Sequence, residues 1–177
     1  NCQKIIIFSR DEMKQWEMQN VFSKFSDRLR FFIGDVRDLD RLKRAFKDVD
    51  FIIHAAGKVG GIQANIKEPV SFLINNIDMG RNIIMAAKSN NIKNLLNLSS
   101  SCMYPRNAEN PLSENLILKG ELEPTNEGYA IAKIMSTRLC EYIVGEDDSM
   151  NYKTVIPCNL YGKYDKFDPQ NSHMIPA

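Results

Sequence analysis

The sequence predicts an α/β fold, a doubly wound and mostly parallel sheet with helices on both faces. Three observations lead there. Short apolar runs rich in β-branched residues alternate with helical patterns along most of the chain. Strands that alternate with helices imply right-handed crossovers, which join parallel strands. The 177 residues are 44% apolar and 25% charged, a globular composition long enough to bury a core.

Each element has a local reason. Lys4 to Phe8 is apolar and β-branched, a buried first strand. Ser9 can cap the next helix, with Asp11 and Glu12 in its first turn and its end near Asn20. Arg30 to Ile33 is a second strand, ended by Gly34-Asp35, and Asp38 can cap a helix with Leu42, Ala45 and Phe46 on one face. Asp50 to His54 is a third strand, followed by the small residues Ala55, Ala56 and Gly57. A long helix from about Glu68 to Lys88 carries the apolar stripe Val70, Leu73, Ile74, Ile77, Ile84 and Ala87. Leu95 to Ser99 is a fourth strand. The stretch from Cys102 to about Asn126 is irregular and holds Pro105, Pro111 and Pro124, and a loop of that length in a compact domain is usually functional. A helix from about Glu127 to Val144 turns Ala132, Met135, Leu139, Tyr142 and Ile143 inward, and Lys153 to Ile156 is the last strand. His54 reads as a strand-end packing residue, and Asn76 and Asn82 as partners for backbone groups.

Composition excludes several classes. Lys and Arg number 23 against 22 Asp and Glu, so charge gives no reason to expect nucleic acid or an anionic membrane as partner. No apolar run reaches the length of a bilayer span. Cys2, Cys102, Cys140 and Cys158 form no Cys-x-x-Cys pair, and only His54 and His173 could join them. No metal centre and no disulfide framework are expected, and a reducing cytoplasm is. Cys2, Cys140 and Cys158 read as structural.

Ligands of parallel α/β sheets sit at the carboxyl ends of the strands. That rule selects Ser9-Arg10, Asp35-Val36, Ala55-Ala56-Gly57 and Ser99-Ser100-Ser101. Tyr129 and Lys133 lie four apart on a predicted helix and share a face. Of six tyrosines, only Tyr129 has a lysine at that spacing. A nearby ammonium favours phenolate and lowers the tyrosine pKa, which would make an acid or base usable near neutrality. A lone pair of this kind is more often a solvated surface pair; the serine run at a preceding strand end changes the odds, because a hydroxyl there could hold a substrate oxygen. Arg10 can clamp a phosphate through its planar fork, and at this strand end a basic residue suits the 2′-phosphate of an adenosine ribose. Asp35 and Val36 could meet the adenine.

Ser100 with Tyr104, then Tyr129-x-x-x-Lys133, resembles the extended short-chain dehydrogenase/reductases that modify nucleotide sugars. Within that family the resemblance sharpens to the GDP-L-fucose synthase group. It rests on His54 to Asn65 (HAAGKVGGIQAN), Ser100 to Pro105 (SSCMYP), Leu122 to Glu127 (LEPTNE), Pro157 to Gly162 (PCNLYG) and Ser172 to Ala177 (SHMIPA). The resemblance implies an NADP(H)-dependent enzyme, with NAD(H) as the other possible cofactor. It inverts C3 and C5 of GDP-4-keto-6-deoxy-mannose and then reduces the C4 ketone. Carried onto this chain, Ser100 and Tyr129 would polarise and protonate the C4 oxygen. Lys133 would lower the Tyr129 pKa and hold the nicotinamide ribose. Cys102 would be the epimerising base and His173 the acid. Ser9, Arg10, Asp35, Val36, Ala55, Ala56, Gly57, Lys133, Pro157, Asn159 and Leu160 would border the cofactor. Val59, Gly60, Ser101 and Asn159 would border the sugar nucleotide. A homodimer is implied as well.

The first fifty residues depart from that group. Ile7 to Glu12 and Phe32 to Asp38 are more similar to sugar-nucleotide 4,6-dehydratases of polysaccharide biosynthesis. The strand end after Leu98 is not, because dehydratases carry an acidic residue there and this chain has Ser-Ser-Ser-Cys. The glycine-rich turn that cradles a pyrophosphate is not found, so the first strand here corresponds to the family's second. The expectation is a fragment. Residues 1–177 form a partial Rossmann-type domain with the catalytic motifs, 157–177 begin the substrate region, and cofactor binding by the chain alone is weak. Two other readings remain: another nucleotide-sugar 4-epimerase or 4,6-dehydratase, or a non-catalytic remnant or assembly module.

Overall fold

The computed structural model describes residues 3–162. Strand β1 (Ile5–Ser9) leads into helix α1 (Glu12–Val21), and β2 (Leu29–Ile33) into α2 (Leu39–Ala45). Strand β3 (Phe51–His54), helices α3 (Ile62–Lys67) and α4 (Pro69–Ser89), strand β4 (Asn94–Leu98), helix α5 (Glu127–Glu146) and strand β5 (Asn151–Val155) follow. The strands predicted from apolar runs are all present, with ends displaced by one or two residues. Helix α3 escaped the sequence reading, because its six residues are too few to show a period.

All paired strands run parallel, as expected from helical crossovers. They form two sheets rather than one: β1 pairs with β2, and β4 lies between β3 and β5. No described strand pairs with both β1 and β3, so no ladder joins the sheets. A shared core joins them instead. Leu42, Phe46, Ile52, Ile84, Leu95 and Ile143 are buried together, and Phe8 and Phe32 pack against them from the first sheet. The Asn82 side-chain amide also donates to the carbonyl of Arg37 at 2.7 Å, tying α4 to the end of β2.

One expected helix cap needs correction. Asp11, not Ser9, caps α1, accepting from the Lys14 amide at 3.0 Å. The Ser9 hydroxyl accepts from the Asp11 amide at 3.1 Å, two residues short of the helix. Asp38 caps α2 as predicted, accepting from the Arg41 amide at 3.0 Å.

The inward faces of the long helices also differ. Val70 and Ile74 are 73% and 49% exposed, and Tyr142 is 65% exposed. The buried positions of α4 include Phe72, Asn76, Gly80, Asn82 and Ile83. Those of α5 include Ala130, Lys133, Ser136, Thr137 and Cys140. An apolar stripe could not locate these faces, because polar and small residues fill much of them. They are what allows α4 and α5 to approach closely: Ser136 fills the space where a Cβ on Gly80 would stand.

The irregular stretch after β4 packs against helix α5. Its two 3₁₀ turns, Ser101–Met103 and Glu114–Leu116, sit over a small second core of Met103, Ile117 and Ile134. No helix among the described residues is long and apolar enough to cross a membrane.

Candidate active site at the end of strand β4

Past Leu98 the chain stays extended beside the continuation of β5. The Ser99 amide donates to the Val155 carbonyl at 2.9 Å, and the Ser101 amide to the Pro157 carbonyl at 3.3 Å. Ser100 is itself extended, and its hydroxyl caps the 3₁₀ turn of Ser101–Met103. That turn folds Cys102 back over Ser100, with the Cys102 amide 3.5 Å from the hydroxyl oxygen.

Helix α5 supplies the other side. Tyr129 lies in its first turn, and Lys133 follows one turn later on the same face. The Lys133 ammonium donates to the Leu98 carbonyl at 3.0 Å and sits 5.6 Å from the centroid of the Tyr129 ring. The side chain is only 8% exposed, and burial lowers its pKa while Cys102 acts in the opposite direction.

The expected lowering of the Tyr129 pKa by Lys133 is not what this arrangement produces. Burial, reinforced by charge on Cys102, pushes Tyr129 up to about 12, against a hydrogen bond from Ser100 that lowers it. The ammonium faces the ring and spends its hydrogen bond on Leu98. Cys102 is likewise raised, chiefly by burial, while Ser100 and Lys133 pull it down. Both groups are therefore protonated near neutrality.

The small-residue end of β3 runs beside this cluster. A Cβ on Gly57 would lie 3.8 Å from the Lys133 ammonium and 3.3 Å from Asn76 Oδ1. Asn76 clamps the next peptide: its Oδ1 accepts from the Lys58 amide at 2.9 Å, and its Nδ2 donates to the Lys58 carbonyl at 3.0 Å. Asn65 braces the following turn, donating to the carbonyls of Gly60 and Gly61 at 2.9 and 3.1 Å. Asn76 was legible as a backbone partner. Asn65 was missed, and its one signal was a glycine pair just before a short polar helix. His54 is buried as expected of a packing residue, and its Nδ1 has no hydrogen-bond partner. Burial, then the nearby Lys133 charge, pushes its pKa down to about 3.

Ser100, Cys102, Tyr129 and Lys133 thus come together, with Ser101, Gly57 and Pro157 alongside. Val59 is 68% exposed beyond Gly57; Ala55, Asn159 and Leu160 are exposed, and Ala56 and Gly60 half-buried. His173 lies outside the described residues, as does Cys2. Ser9, Arg10, Asp35 and Val36 stand at the carboxyl ends of the other sheet. Arg10 is open to solvent, with Nη1 3.6 Å from Asp35 Oδ2. Arg37 holds the Asp35 carboxyl down to about 2 through its hydrogen bonds. An open guanidinium at one strand end, and a buried ammonium beside a strand end without side-chain bulk at another, are donors that fit a phosphorylated dinucleotide. No cluster of metal-ligating side chains occurs among the described residues.

Known proteins share this chain's sequence and architecture. The GDP-L-colitose synthase of Yersinia pseudotuberculosis is 67% identical over 128 residues, 72% of this chain and 42% of that protein. The GDP-L-fucose synthase of Escherichia coli K12 is 48% identical over 133 residues, 75% of this chain and 41% of that protein. A solved GDP-L-fucose synthetase from Naegleria fowleri bound to NADP superimposes with a TM-score of 0.76 at 27% identity, over 99% of this chain and 60% of that one. The chain spans about two fifths of the length of the curated relatives it matches. The model of the NAD dependent epimerase/dehydratase family matches residues 3–177, and the chain belongs to that family.

Proposed function

We propose that the chain carries the catalytic part of an NADPH-dependent GDP-sugar epimerase-reductase that converts GDP-4-keto-6-deoxy-mannose to GDP-L-fucose. Residues 1–177 are read as a partial Rossmann-type domain, with the substrate region beginning at 157–177. The observation that carries the reading is the meeting of Ser100, Cys102, Tyr129 and Lys133 around the end of β4.

A nicotinamide cofactor, when bound, would supply the hydride for reducing the ketone. This chain's residues supply the proton and the orientation. Tyr129, protonated at neutral pH, has a proton to give to the C4 oxygen, and Ser100 holds that oxygen by a second hydrogen bond. Lys133, fixed on the Leu98 carbonyl, keeps positive charge beneath the phenol as the proton leaves. Lys133 and the Gly57 strand end would border the cofactor, and Arg10 would hold its 2′-phosphate. For epimerisation, polarising the ketone acidifies the adjacent C–H, so a thiolate at Cys102 can remove that proton. Lys133 and Ser100 lower the cost of forming the thiolate, and burial raises it. His173 is proposed as the acid that returns a proton on the opposite face.

A second reading differs in the sugar. The 67% identity to the colitose synthase favours GDP-L-colitose, whose sugar lacks the C3 hydroxyl, so its ketone precursor must lack that hydroxyl too. Comparing the 3-hydroxy and 3-deoxy ketones as substrates separates the two readings. A 4,6-dehydratase is disfavoured by Ser-Ser-Ser-Cys after Leu98, where no acidic residue stands ready for elimination.

Cys102→Ser tests the division of labour. In the protein as its host makes it, epimerisation is expected to fall about a hundredfold or more, while reduction of an already epimerised ketone falls far less. Equal loss in both steps removes Cys102 from the base role.

A further inference from the structure

Just past the end of β2, Arg37 makes a dense set of hydrogen bonds. Its Nε donates to Asp35 Oδ1 at 3.0 Å and Oδ2 at 3.2 Å, and its Nη2 to Oδ2 at 2.6 Å. Its own amide donates to Oδ1 at 2.9 Å. The remaining arm of the guanidinium donates to Asn75 on α4 at 2.8 Å, and Asn82 holds the Arg37 carbonyl. Both oxygens of Asp35 are therefore engaged by one residue, anchored to α4 at two points. Arg10 approaches the same carboxylate only to 3.6 Å, an ion-pair distance with no hydrogen bond, and its side chain is 74% exposed.

We infer that Arg37 is a positioning residue that sets the preference for a 2′-phosphorylated cofactor: it occupies Asp35 and so leaves the Arg10 guanidinium free for the phosphate. The inference rests on the reading of Arg10 as the 2′-phosphate contact. Its logic is a competition between anions. A carboxylate accepts about four hydrogen bonds, and here three Arg37 N–H groups, with the Nε hydrogen shared between both oxygens, take up most of that capacity. Without Arg37, Asp35 would stand next to Arg10 with both oxygens open, and a bidentate Arg10–Asp35 pair would form in its place. The same change removes a positive charge from the trio of Arg10, Asp35 and Arg37. An incoming phosphate would then meet a neutral pair instead of a net positive charge. The Asp35 carboxyl, held down to about 2 chiefly by the Arg37 hydrogen bond, keeps its charge and with it the Arg37 fork across the physiological range.

The test compares two nucleotides that differ only in the 2′-phosphate, 2′,5′-ADP and 5′-AMP, by calorimetric titration. Each variant is its own control for folding and for the adenine contact, because only the ratio of the two affinities is read. The unaltered protein is expected to prefer 2′,5′-ADP. Arg37→Ala is expected to cut that preference about tenfold. Asp35→Asn combined with Arg37→Ala is expected to restore it to within about twofold, because an amide neither captures Arg10 nor repels phosphate. A purely structural role for Arg37 would not be rescued in this way. An unchanged ratio in Arg37→Ala, or a ratio still depressed in the double variant, overturns the inference. If the unaltered protein binds the two nucleotides equally, the reading of Arg10 falls, and the inference falls with it.

Discussion

Tyr129→Phe is expected to lower the rate of ketone reduction about a hundred- to ten-thousandfold, the usual worth of a positioned general acid. The substitution deletes one oxygen from a half-buried ring whose remaining contact, the Lys133 ammonium 5.6 Å from its centroid, survives in phenylalanine. Cofactor affinity should therefore change little. The phenol at about 12 adds a second expectation. A neutral donor with so high a pKa gives no basic limb to the reduction step below about pH 10, because the group does not ionise there. The check is single-turnover reduction, followed by loss of NADPH absorbance from pH 6 to pH 9. Near-normal turnover in Tyr129→Phe removes the residue from its proposed role.

His54 makes the protein acid-sensitive. Its imidazole is 3% exposed, and burial together with Lys133 takes its pKa from 6.5 to about 3. Below pH 6.5 the unfolded chain binds a proton at this position and the folded chain does not, so stability falls as pH falls. The loss accumulates from about pH 6.5 down to about pH 3, where the folded state also protonates. At 1.36 kcal/mol per unit, its upper bound is about 2 kcal/mol at pH 5 and about 4–5 kcal/mol near pH 3. His54→Asn removes the titrating group. Urea midpoints measured at pH 7, 6, 5 and 4 should then fall less steeply than in the unaltered protein. Parallel slopes would show that the acid limb has another origin.

How far the sequence carried depended on the physical signal behind each feature. Strands were legible because β-branched runs such as Ile5-Ile6-Ile7 and Phe51-Ile52-Ile53 have little alternative once helical patterns flank them. The Asp38 cap was legible because its chemistry is local. The inward faces of α4 and α5 were not. Gly80 meets Ser136 where the two helices touch, and the buried Asn76 and Asn82 face the backbone of Lys58 and Arg37, all residues that an apolar stripe counts as solvent-facing. At the site, Tyr129 and Lys133 shared a face because four residues make about one helical turn. The sign of the Tyr129 shift was not legible, because it depends on how deeply the ring sinks and on where Lys133 places its hydrogen bond. The Arg37 fork on Asp35 is only two residues long in sequence, yet the Asn75 anchor that completes it comes from 38 residues away.

The central claim is that this site reduces a ketone after epimerising beside it, and cofactor stoichiometry tests it most directly. The protein as its host makes it is given GDP-4-keto-6-deoxy-mannose with NADPH, and NADPH consumed is compared with sugar nucleotide converted. One NADPH oxidised for each sugar converted is the predicted result. Conversion of the sugar with no net oxidation of NADPH would contradict the account, and would identify an epimerase that consumes no reductant.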